Sequence, residues 1–336
     1  MSAKRLTMAD IGRLAGVSAS TVSRALSDDP TVAQKTAARV HEIAAKHDYV
    51  LNERARNFRL KITQTVALVF PSPGTSRRMI SDPFYMELLG AIAEELDSHG
   101  YDLIIARVPA DDPAWSDKFV KNRRVDGLIT VDRLIADAGL ERLRELDTPV
   151  VIWGPEVAGQ RYLSVGGDSR SGATMAVRHL ASRGRRHIGF VGGNRDMLET
   201  AERYRGYRQG LDELGLPFNE DLVVFTDFSQ QESSRAAGEL LERAPDVDGL
   251  FVCSDFMAVA VMEVLKAHGR DVPRDVSVVG YDDIQLAAHC SPRLTTIRQQ
   301  IDAGGRLLAR KVLALVRGEP VSSAMLPIQL VVRDSS

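Results

Sequence analysis

Short apolar runs and amphipathic helical stretches alternate along the chain from Thr65 onward. Eight runs rich in Val, Ile, Leu and Phe have the length of buried strands: Val66–Phe70, Leu103–Ala106, Gly127–Val131, Val150–Trp153, Ile188–Val191, Leu222–Phe225, Leu250–Cys253 and Val276–Gly280. Helical stretches separate most of them, including Tyr85–Ser98, Ala173–Arg183, Tyr204–Leu214, Ser233–Arg243 and Ala258–His268. Continuous apolar strands that alternate with helices are typical of parallel sheets covered by helices on both faces.

Eight strand–helix units are more than a single sheet of this type comfortably holds. We therefore expect two doubly wound α/β subdomains, with a break near residues 155–165 and a return of the chain near residues 290–300. A helix at Asp302–Val316 and a last strand at Ile328–Arg333 complete the pattern. In such folds, ligands bind at the carboxyl ends of the strands, in the crevice between the lobes.

The N-terminal residues follow a purely helical pattern. Four apolar residues recur at helical spacing: Met8, Ile11, Leu14 and Ala15. We expect Thr7 to cap this first helix and Gly16 to end it, because glycine tolerates the left-handed conformation of a tight turn. We expect Ser18 to cap a second helix, with Val22 and Leu26 on its inner face. A third helix is predicted from a further apolar stripe: Val32, Thr36, Val40, Ile43 and Ala44.

The outer face of the second predicted helix carries short side chains and one long cation: Ala19, Ser20, Ser23 and Arg24. A helix that enters the major groove of DNA needs small residues near its N-terminus and an arginine that can bind guanine O6 and N7. The pattern therefore predicts a helix-turn-helix DNA-binding module. The alternative interpretation is a small helical hairpin without a role in DNA binding.

The charge distribution gives this prediction weak support. Residues 1–62 contain 11 Lys and Arg and 6 Asp and Glu, a balance of +5. The remainder contains 32 Lys and Arg and 39 Asp and Glu, a balance of −7, so the net charge of the whole chain is −2. A basic N-terminal part on an acidic body is typical of a modular DNA-binding protein.

Residues 52–64 are basic and able to form a helix, although a helix this short is not stable in isolation. Four cations surround a few apolar side chains there: Arg54, Arg56, Arg59 and Lys61. Such a helix suits the DNA minor groove, where cations bind phosphates while an apolar side chain separates a base step. Phe58 is the candidate wedge, and the alternative is that it packs on the following domain.

Composition and cysteine content favour a globular cytoplasmic protein. The chain is 44% apolar and 26% charged. It has no apolar run of the roughly 18–20 residues that a membrane helix needs, and no apolar signal-peptide core at its N-terminus. Cys253 and Cys290 lack the spacing of metal ligands, so we expect two reduced thiols.

Over nearly its whole length, the sequence resembles the LacI/GalR family of bacterial transcriptional repressors. The motifs that carry the resemblance occur in the family's order: Thr7–Leu26, Asn52–Arg59, Asp82–Tyr85, Gly166–Asp168, His187–Gly193, Arg203–Tyr207, Ser254–Asp255, Val279–Asp283 and Leu294–Ile297. The resemblance implies a helix-turn-helix headpiece on a body like a periplasmic sugar-binding protein. It also implies a homodimer that binds a palindromic operator, and a small effector that closes the two lobes.

The resemblance also implies roles for individual headpiece residues. By position, Ala19, Ser20 and Arg24 would contact bases. Phosphate contacts would come from Thr7, Ser18, Thr21 and Ser23. Arg54 and Ala55 would belong to the hinge helix that orders on operator DNA. Phe58 would take the place of an intercalating leucine, and its larger, flatter ring could change the preferred base step.

Six positions match effector-binding positions of the family: Phe84 and Tyr85 in the first lobe, and Arg203, Phe228, Ser254 and Asp282 in the second. Arginine and aspartate can bind adjacent hydroxyls, and aromatic rings can cover the apolar face of a sugar, so a monosaccharide or disaccharide is expected. Many relatives carry aspartate at position 154, whereas Gly154 here opens space in which Trp153 could stack on a disaccharide. Taken singly, Phe84 could belong to the core, Asp255 could cap a helix and Asp283 could be a solvated loop carboxylate.

The expected organisation is a headpiece at residues 1–51, a hinge helix or linker at 52–64, and an effector-binding and dimerisation domain of two lobes at 65–334. No heptad pattern follows the last strand, so a coiled-coil tetramer is not predicted. We expect a cytoplasmic protein that is nucleoid-associated when bound to its operator, without a metal, a cofactor or a membrane contact.

Three other classes of protein are alternatives to this hypothesis. An enzyme is disfavoured because Gly189–Gly193 lacks the G-x-G-x-x-G spacing and no nucleophile elbow or H-E-x-x-H motif occurs. Asp282 and Asp283 are adjacent, so at a strand end they should point apart rather than form a catalytic pair. A periplasmic binding protein would not carry the headpiece. A DNA-binding protein without an effector remains open, as does a corepressor in place of an inducer.

Overall fold

The structure is a computed structural model that describes residues 6–26, 28–47, 49, 62–72, 80–110, 112–131, 133, 138–156, 160 and 162–336. The chain divides near Thr63 into two compact units, each of which has its own core.

The first unit is a bundle of three helices, α1 (Met8–Ala15), α2 (Ala19–Ala25) and α3 (Gln34–Lys46). Five buried apolar residues form its core: Ile11, Ala15, Val22, Ala25 and Val40. Met8 packs against this core, whereas Leu14, at the same helical spacing in the sequence, is 47% exposed.

The second unit alternates strands with helices. Its strands are β1 (Thr65–Ser72), β2 (Asp102–Pro109), β3 (Gly127–Thr130), β4 (Val150–Trp153), β5 (Leu163–Gly167), β6 (Ile188–Gly192), β7 (Val223–Phe225), β8 (Gly249–Val252), β9 (Ser277–Asp282), β10 (Thr295–Arg298), β11 (Ala324–Leu326) and β12 (Gln329–Val331). Its helices are α4 (Pro83–Asp97), α5 (Asp117–Val120), α6 (Ala138–Glu145), α7 (Ser169–Ser182), α8 (Leu198–Glu213), α9 (Gln230–Arg243), α10 (Asp255–Ala267), α11 (Gln285–His289) and α12 (Ile301–Val316).

The strands form two sheets of six strands each. The order is β11-β5-β4-β3-β1-β2 in the first sheet and β12-β10-β9-β8-β6-β7 in the second. All neighbours are parallel except β10 and β12. β1 lies inside its sheet, and Leu68 is in register with Ile105 on one side and Ile129 on the other. This arrangement confirms the prediction of two doubly wound lobes.

The chain crosses between the lobes three times. It leaves the first lobe after Gly167, returns after Arg298, and crosses again between Leu326 and Gln329. The return near residues 290–300 was predicted. The first crossing lies beyond the predicted break at 155–165, because β5 still belongs to the first sheet.

Glycines explain why β5 gave no strand signal in the sequence. A Cβ on Gly166 would lie 2.5 Å from the carbonyl oxygen of Gly154, and one on Gly167 would lie 2.5 Å from Ile328 Cγ2. The strand therefore needs glycine where other segments press against it, although glycine lowers strand propensity.

Each lobe has its own apolar core residues, and Ile284 of the second lobe packs into one core of the first. The two faces of the first sheet carry one core each, including Leu68 with α4 and α12 on one face and Ala67 with Trp115 on the other. The second lobe has a single large core that includes Phe190, Tyr207 and Phe251. Within the described residues, no helix is both long and apolar enough to span a membrane.

Candidate DNA interface and interlobe cleft

Local hydrogen bonds set the angle between the first two headpiece helices. Thr7 and Asp10 form a reciprocal capping box, in which the Asp10 amide donates to Thr7 Oγ1 (3.3 Å) and the Thr7 amide donates to Asp10 Oδ2 (2.9 Å). Gly16 ends α1 with φ at +68°. A Cβ on Gly12 would lie 2.7 Å from the Val17 carbonyl oxygen, so this glycine permits the close turn.

The face of α2 opposite the core is exposed. Val22 and Ala25 are buried, whereas Ala19, Ser20 and Arg24 are exposed on the other side. The Ser18 hydroxyl accepts from the Thr21 amide (3.1 Å) and lies 2.8 Å from the Ser20 hydroxyl. The predicted base-contacting residues thus share one solvent-facing surface.

The other predicted DNA contacts divide into two groups. Thr7 and Ser18 are exposed, and Thr21 and Ser23 are half-buried beside them. Hydroxyls of this kind commonly bind phosphate oxygens. The remaining three predicted contacts, Arg54, Ala55 and Phe58, lie outside the described residues.

In the second unit, the carboxyl ends of the strands of the two lobes face each other. The Leu198 amide at the start of α8 donates to the Arg133 carbonyl, which follows β3 (2.9 Å). A Cβ on Gly154, which follows β4, would lie 2.6 Å from Glu199 Oε1. Gly154 has φ at +150°, a conformation that other residues rarely adopt. The space expected at position 154 is therefore taken by Glu199.

Arg203 is the central cation of the second-lobe wall. It is 5% exposed, and its guanidinium donates to the Cys253 carbonyl and stacks on Tyr281 at 3.7 Å from the ring centroid. Its Nη2 lies 3.8 Å from Asp282 Oδ1. Burial opposes the charged form, but Asp282 and other neighbours outweigh it, and the pKa of Arg203 lies above its usual value. Arg203 Nε is buried and has no hydrogen-bond partner among the described residues.

Asp282 ends β9 and Asp283 follows it, and the two carboxylates have different partners. Asp282 Oδ1 accepts from Gln299 Nε2 (2.8 Å). Asp283 accepts instead from Arg298 and Arg333, and its side chain is 5% exposed. The interpretation of Asp283 as a solvated loop carboxylate is therefore wrong.

The aromatic residues of the first lobe form a packed cluster at the cleft edge. Phe84 lies 5.6 Å from Tyr85 and 5.8 Å from Trp153 between ring centroids. Asp82 starts α4 and accepts from the Phe84 amide. Trp153 is 3% exposed, and a Cβ on Gly304 would overlap its ring. Trp153 thus belongs to the core that supports Phe84, rather than to an open stacking surface.

Phe228 and Ser254 lie at the ends of second-lobe elements. Phe228 is buried with φ at +66°, and its ring covers Gly193, where a Cβ would lie 1.9 Å from it. Ser254 follows β8 by two residues and caps α10 by accepting from the Met257 amide. Both residues are buried. Phe228 and Ser254 follow β7 and β8, whereas Asp282 ends β9 and Arg203 lies in the second turn of α8.

Three buried polar residues were not identified as site residues from the sequence. Glu199 lies one turn before Arg203 on α8, and Gln299 binds Asp282. Asp255 is fully buried and accepts from Thr296 Oγ1 (2.5 Å) and the Ile284 amide (3.0 Å). Burial and the Asp282 carboxylate raise the pKa of Asp255 well above its usual range. Their signal in the sequence was weak, because each stands among ordinary polar residues of helices and turns.

Two family models match the chain. One, described as bacterial regulatory proteins of the lacI family, matches residues 7–52. The other, described as a periplasmic binding protein-like domain, matches residues 177–336. The first match covers the three-helix unit. The second begins within α7 and runs to the end of the chain, so it includes most of the second lobe and the first-lobe segment between Arg298 and Leu326.

Curated relatives match the chain over nearly its whole length. The HTH-type transcriptional regulator CelR of Thermobifida fusca is 32% identical over 337 residues, covering 99% of this chain and 98% of the relative. The HTH-type transcriptional repressor CytR of Escherichia coli (strain K12) is 30% identical, covering 98% of this chain and 96% of the relative.

Solved structures show the same fold. A transcriptional regulator CelR–cellobiose complex has a TM-score of 0.75 at 32% identity and covers 99% of this chain and 100% of its own. A Lac repressor dimer bound to operator and the anti-inducer ONPF has a TM-score of 0.86 at 24% identity and covers 99% of both chains. The chain belongs to the LacI/GalR family of HTH-type, DNA-binding transcriptional regulators.

Proposed function

We propose that this regulator is a repressor that binds a palindromic operator as a homodimer and responds to a neutral monosaccharide or disaccharide in the interlobe cleft. It acts in the cytoplasm and is nucleoid-associated when bound to the operator. The sugar acts as an inducer that releases DNA. The protein needs no metal or other cofactor. Residues 1–51 are the DNA-binding headpiece, residues 52–64 the hinge and residues 65–334 the effector-binding and dimerisation domain.

The surface of α2 supports the DNA-binding part of this proposal. Ala19, Ser20 and Arg24 project from one exposed face, with the hydroxyls of Ser18 and Thr21 beside it. Arginine at such a position can bind guanine through two parallel hydrogen bonds. A single headpiece presents one such helix and covers one half-site, so two copies related by symmetry would read a palindrome. The 30% identical CytR is a transcriptional repressor, which favours repression.

The buried Arg203 carries the effector part of the proposal. Arg203 is 5% exposed. Its Nε is buried and, among the described residues, is a donor without an acceptor. Leaving such a group unpaired is unfavourable, so a ligand oxygen at this position would stabilise the site. The nearby Asp282 offers acceptor oxygens, and an arginine with an aspartate suits adjacent sugar hydroxyls. The 32% identical CelR has been solved as a complex with cellobiose, which favours a sugar.

A thermal-unfolding screen of the full chain tests the effector. The panel contains neutral monosaccharides and disaccharides including cellobiose, sugar phosphates, nucleosides and purines. A ligand that binds only the folded state adds about 2.7 kcal/mol of stability at about 100 times its dissociation constant. We expect a neutral sugar to raise the unfolding temperature of the wild type and of the control Arg178→Ala. Arg178 is exposed and pairs with Glu213 on α8. We expect no increase for Arg203→Ala.

The other outcomes separate the alternatives. An increase only with purines or sugar phosphates would contradict the neutral-sugar proposal. An equal increase for Arg203→Ala and wild type would remove Arg203 from the effector site. The absence of any hit would favour a DNA-binding protein without an effector.

A further inference from the structure

The three crossings between the lobes meet at one point. A Cβ on Gly167, at the first crossing, would lie 2.5 Å from Ile328 Cγ2 and 3.9 Å from Gln299 Oε1. Ile328 belongs to the third crossing and Gln299 to the second. Any change in the angle between the lobes must therefore alter the backbone at this junction.

Two adjacent carboxylates of the second lobe, Asp282 and Asp283, bind different residues at or next to this junction. Asp282 accepts from the Gln299 side chain (2.8 Å), and its carbonyl accepts from the Gln299 amide (3.2 Å). Asp283 Oδ2 accepts from Arg298 Nε (2.6 Å), and Oδ1 accepts from Arg333 Nη2 (2.5 Å). Arg298 is the last residue before the second crossing, and Arg333 follows the strand that begins after the third.

Burial, hydrogen bonds and backbone conformation restrain the cluster of Asp283, Arg298 and Arg333. The Asp283 side chain is almost fully buried. The Asp283 backbone has a positive φ of 61°, a strained conformation for a residue other than glycine. Arg333 is tied to β10 as well, because its Nη1 donates to the Leu294 carbonyl (2.7 Å) and its amide donates to Thr295 Oγ1 (2.9 Å). The second-lobe ends of two crossings are thus held by one carboxylate.

We propose that Asp283, with Arg298 and Arg333, is a positioning cluster that couples the effector contact at Asp282 to the angle between the lobes. This inference rests on the proposed function, in which the effector binds beside Arg203 and Asp282. A ligand that competes for Asp282 changes its hydrogen bond to Gln299. Because Asp283 restrains Arg298 and Arg333, the change at Gln299 alters the backbone of the crossings rather than a local loop.

Interlobe distances measured without any sugar test the cluster directly. Spin labels at Lys118→Cys on the first lobe and Glu242→Cys on the second, in a Cys290→Ser background of the full chain, report this distance by pulsed electron paramagnetic resonance. Both labelled positions are exposed. We expect Asp283→Asn to broaden or shift the distance distribution. The control Glu213→Gln breaks an ion pair within the second lobe and should leave the distribution unchanged.

A purely structural role would lower stability without moving the labels, so an unchanged distribution in Asp283→Asn overturns the proposal. If Asp283→Asn does not fold, Arg298→Gln decides, because the Arg298 side chain is 41% exposed and its replacement leaves the pair with Arg333. An unchanged interlobe distance distribution in Arg298→Gln would also overturn the proposal.

Cellobiose as a probe separates this inference from the proposed function. In Asp283→Asn, the ratio of DNA affinities without and with cellobiose should change by about two- to thirty-fold relative to the unsubstituted chain. A wild-type chain whose interlobe distances and DNA affinity do not respond to cellobiose would exclude cellobiose as the effector, and the sugar panel would then test the proposed function. The sugar-free distances would still decide whether the cluster sets the interlobe angle.

Discussion

Arg24 is the residue on which sequence-specific DNA recognition is expected to depend most. It is the only long cation on a face otherwise made of alanine and serine, and it is exposed. Small neighbours allow the helix to approach the bases closely enough for a guanidinium to reach them. The geometry of the guanidinium, two parallel donors in a fixed plane, matters here more than its charge.

Replacement of Arg24 by alanine and by lysine separates base reading from phosphate binding. Arg24→Ala should cost about 1–3 kcal/mol of discrimination between operator and random DNA. Arg24→Lys keeps the charge but loses the paired donors, so it should retain affinity for random DNA without restoring discrimination. Affinities for both DNAs, measured at one salt concentration, check this. Full rescue of discrimination by lysine would identify Arg24 as a phosphate contact.

Single residues also show the limits of sequence reasoning. Asp282 and Asp283 accept hydrogen bonds from different partners. The sequence does not predict the arginine partners of Asp283, because Arg298 and Arg333 reach it from segments 15 and 50 residues away. Trp153 had an aromatic character that suits sugars, but only the approach of Gly304 shows that its ring is packed. Long-range packing decides such cases, and local pattern does not record it.

At the scale of single elements, the start of α1 depends on its capping box. Thr7→Ala removes the side-chain acceptor for the Asp10 amide, and such a loss costs about 1 kcal/mol. We expect amide hydrogen exchange in α1 of the full chain to accelerate about five-fold, since 1.4 kcal/mol corresponds to about ten-fold. Ser229→Ala, which removes the cap of α9, is the matched control. It should not change exchange in α1, and equal exchange in Thr7→Ala and wild type would contradict the capping role.

The start of α10 gives the protein a predictable dependence on pH. Burial raises the pKa of Asp255 above its unfolded value of about 3.9, so the folded state binds its proton more tightly. Asp255 therefore lowers stability progressively as pH rises from about 4 toward its folded pKa. Asp255→Asn cannot titrate, so its stability relative to wild type should improve as pH rises over this window. Urea unfolding midpoints of both proteins across that range measure the difference.

Asp275 is the control of opposite sign. A hydrogen bond from the Asp271 amide lowers the pKa of Asp275, so this carboxylate adds stability above its unfolded pKa and loses it as pH falls. Asp275→Asn should therefore fall behind wild type as pH rises. A difference between Asp255→Asn and wild type that stays constant with pH would contradict the account of Asp255.

Element boundaries were predictable where burial is continuous. The eight apolar runs correspond to β1–β4 and β6–β9; most of these strands are buried along their length, whereas the edge strand β2 is largely exposed and was predicted from its apolar composition alone. β5, β10 and β11 escaped prediction because glycine, threonine and half-exposed residues form them at or near the sheet edges. The helix-turn-helix was predictable throughout, since its caps and its turn glycine are local signals.

At the scale of the whole molecule, the protein has a candidate DNA-binding face in its first unit and, in its second, a cleft with a buried, partly unsatisfied arginine. Family membership establishes a DNA-binding regulator. The fold class followed from the alternation of strands and helices. The proposed effector site combines residues far apart in the sequence, such as Arg203, Asp282 and Gln299, which only the folded chain brings together.

The most direct test of the account is a selection of DNA from a random duplex pool by the full-length protein, with and without neutral sugars. We expect recovered sequences to share two inverted half-sites, because two symmetry-related headpieces bind them. A deformable pyrimidine–purine step should lie between the half-sites, where Phe58 is predicted to insert. A sugar that binds the cleft should abolish this enrichment. Recovery of no common sequence, of a single asymmetric half-site, or of the same palindrome at the same strength with every sugar would contradict the account.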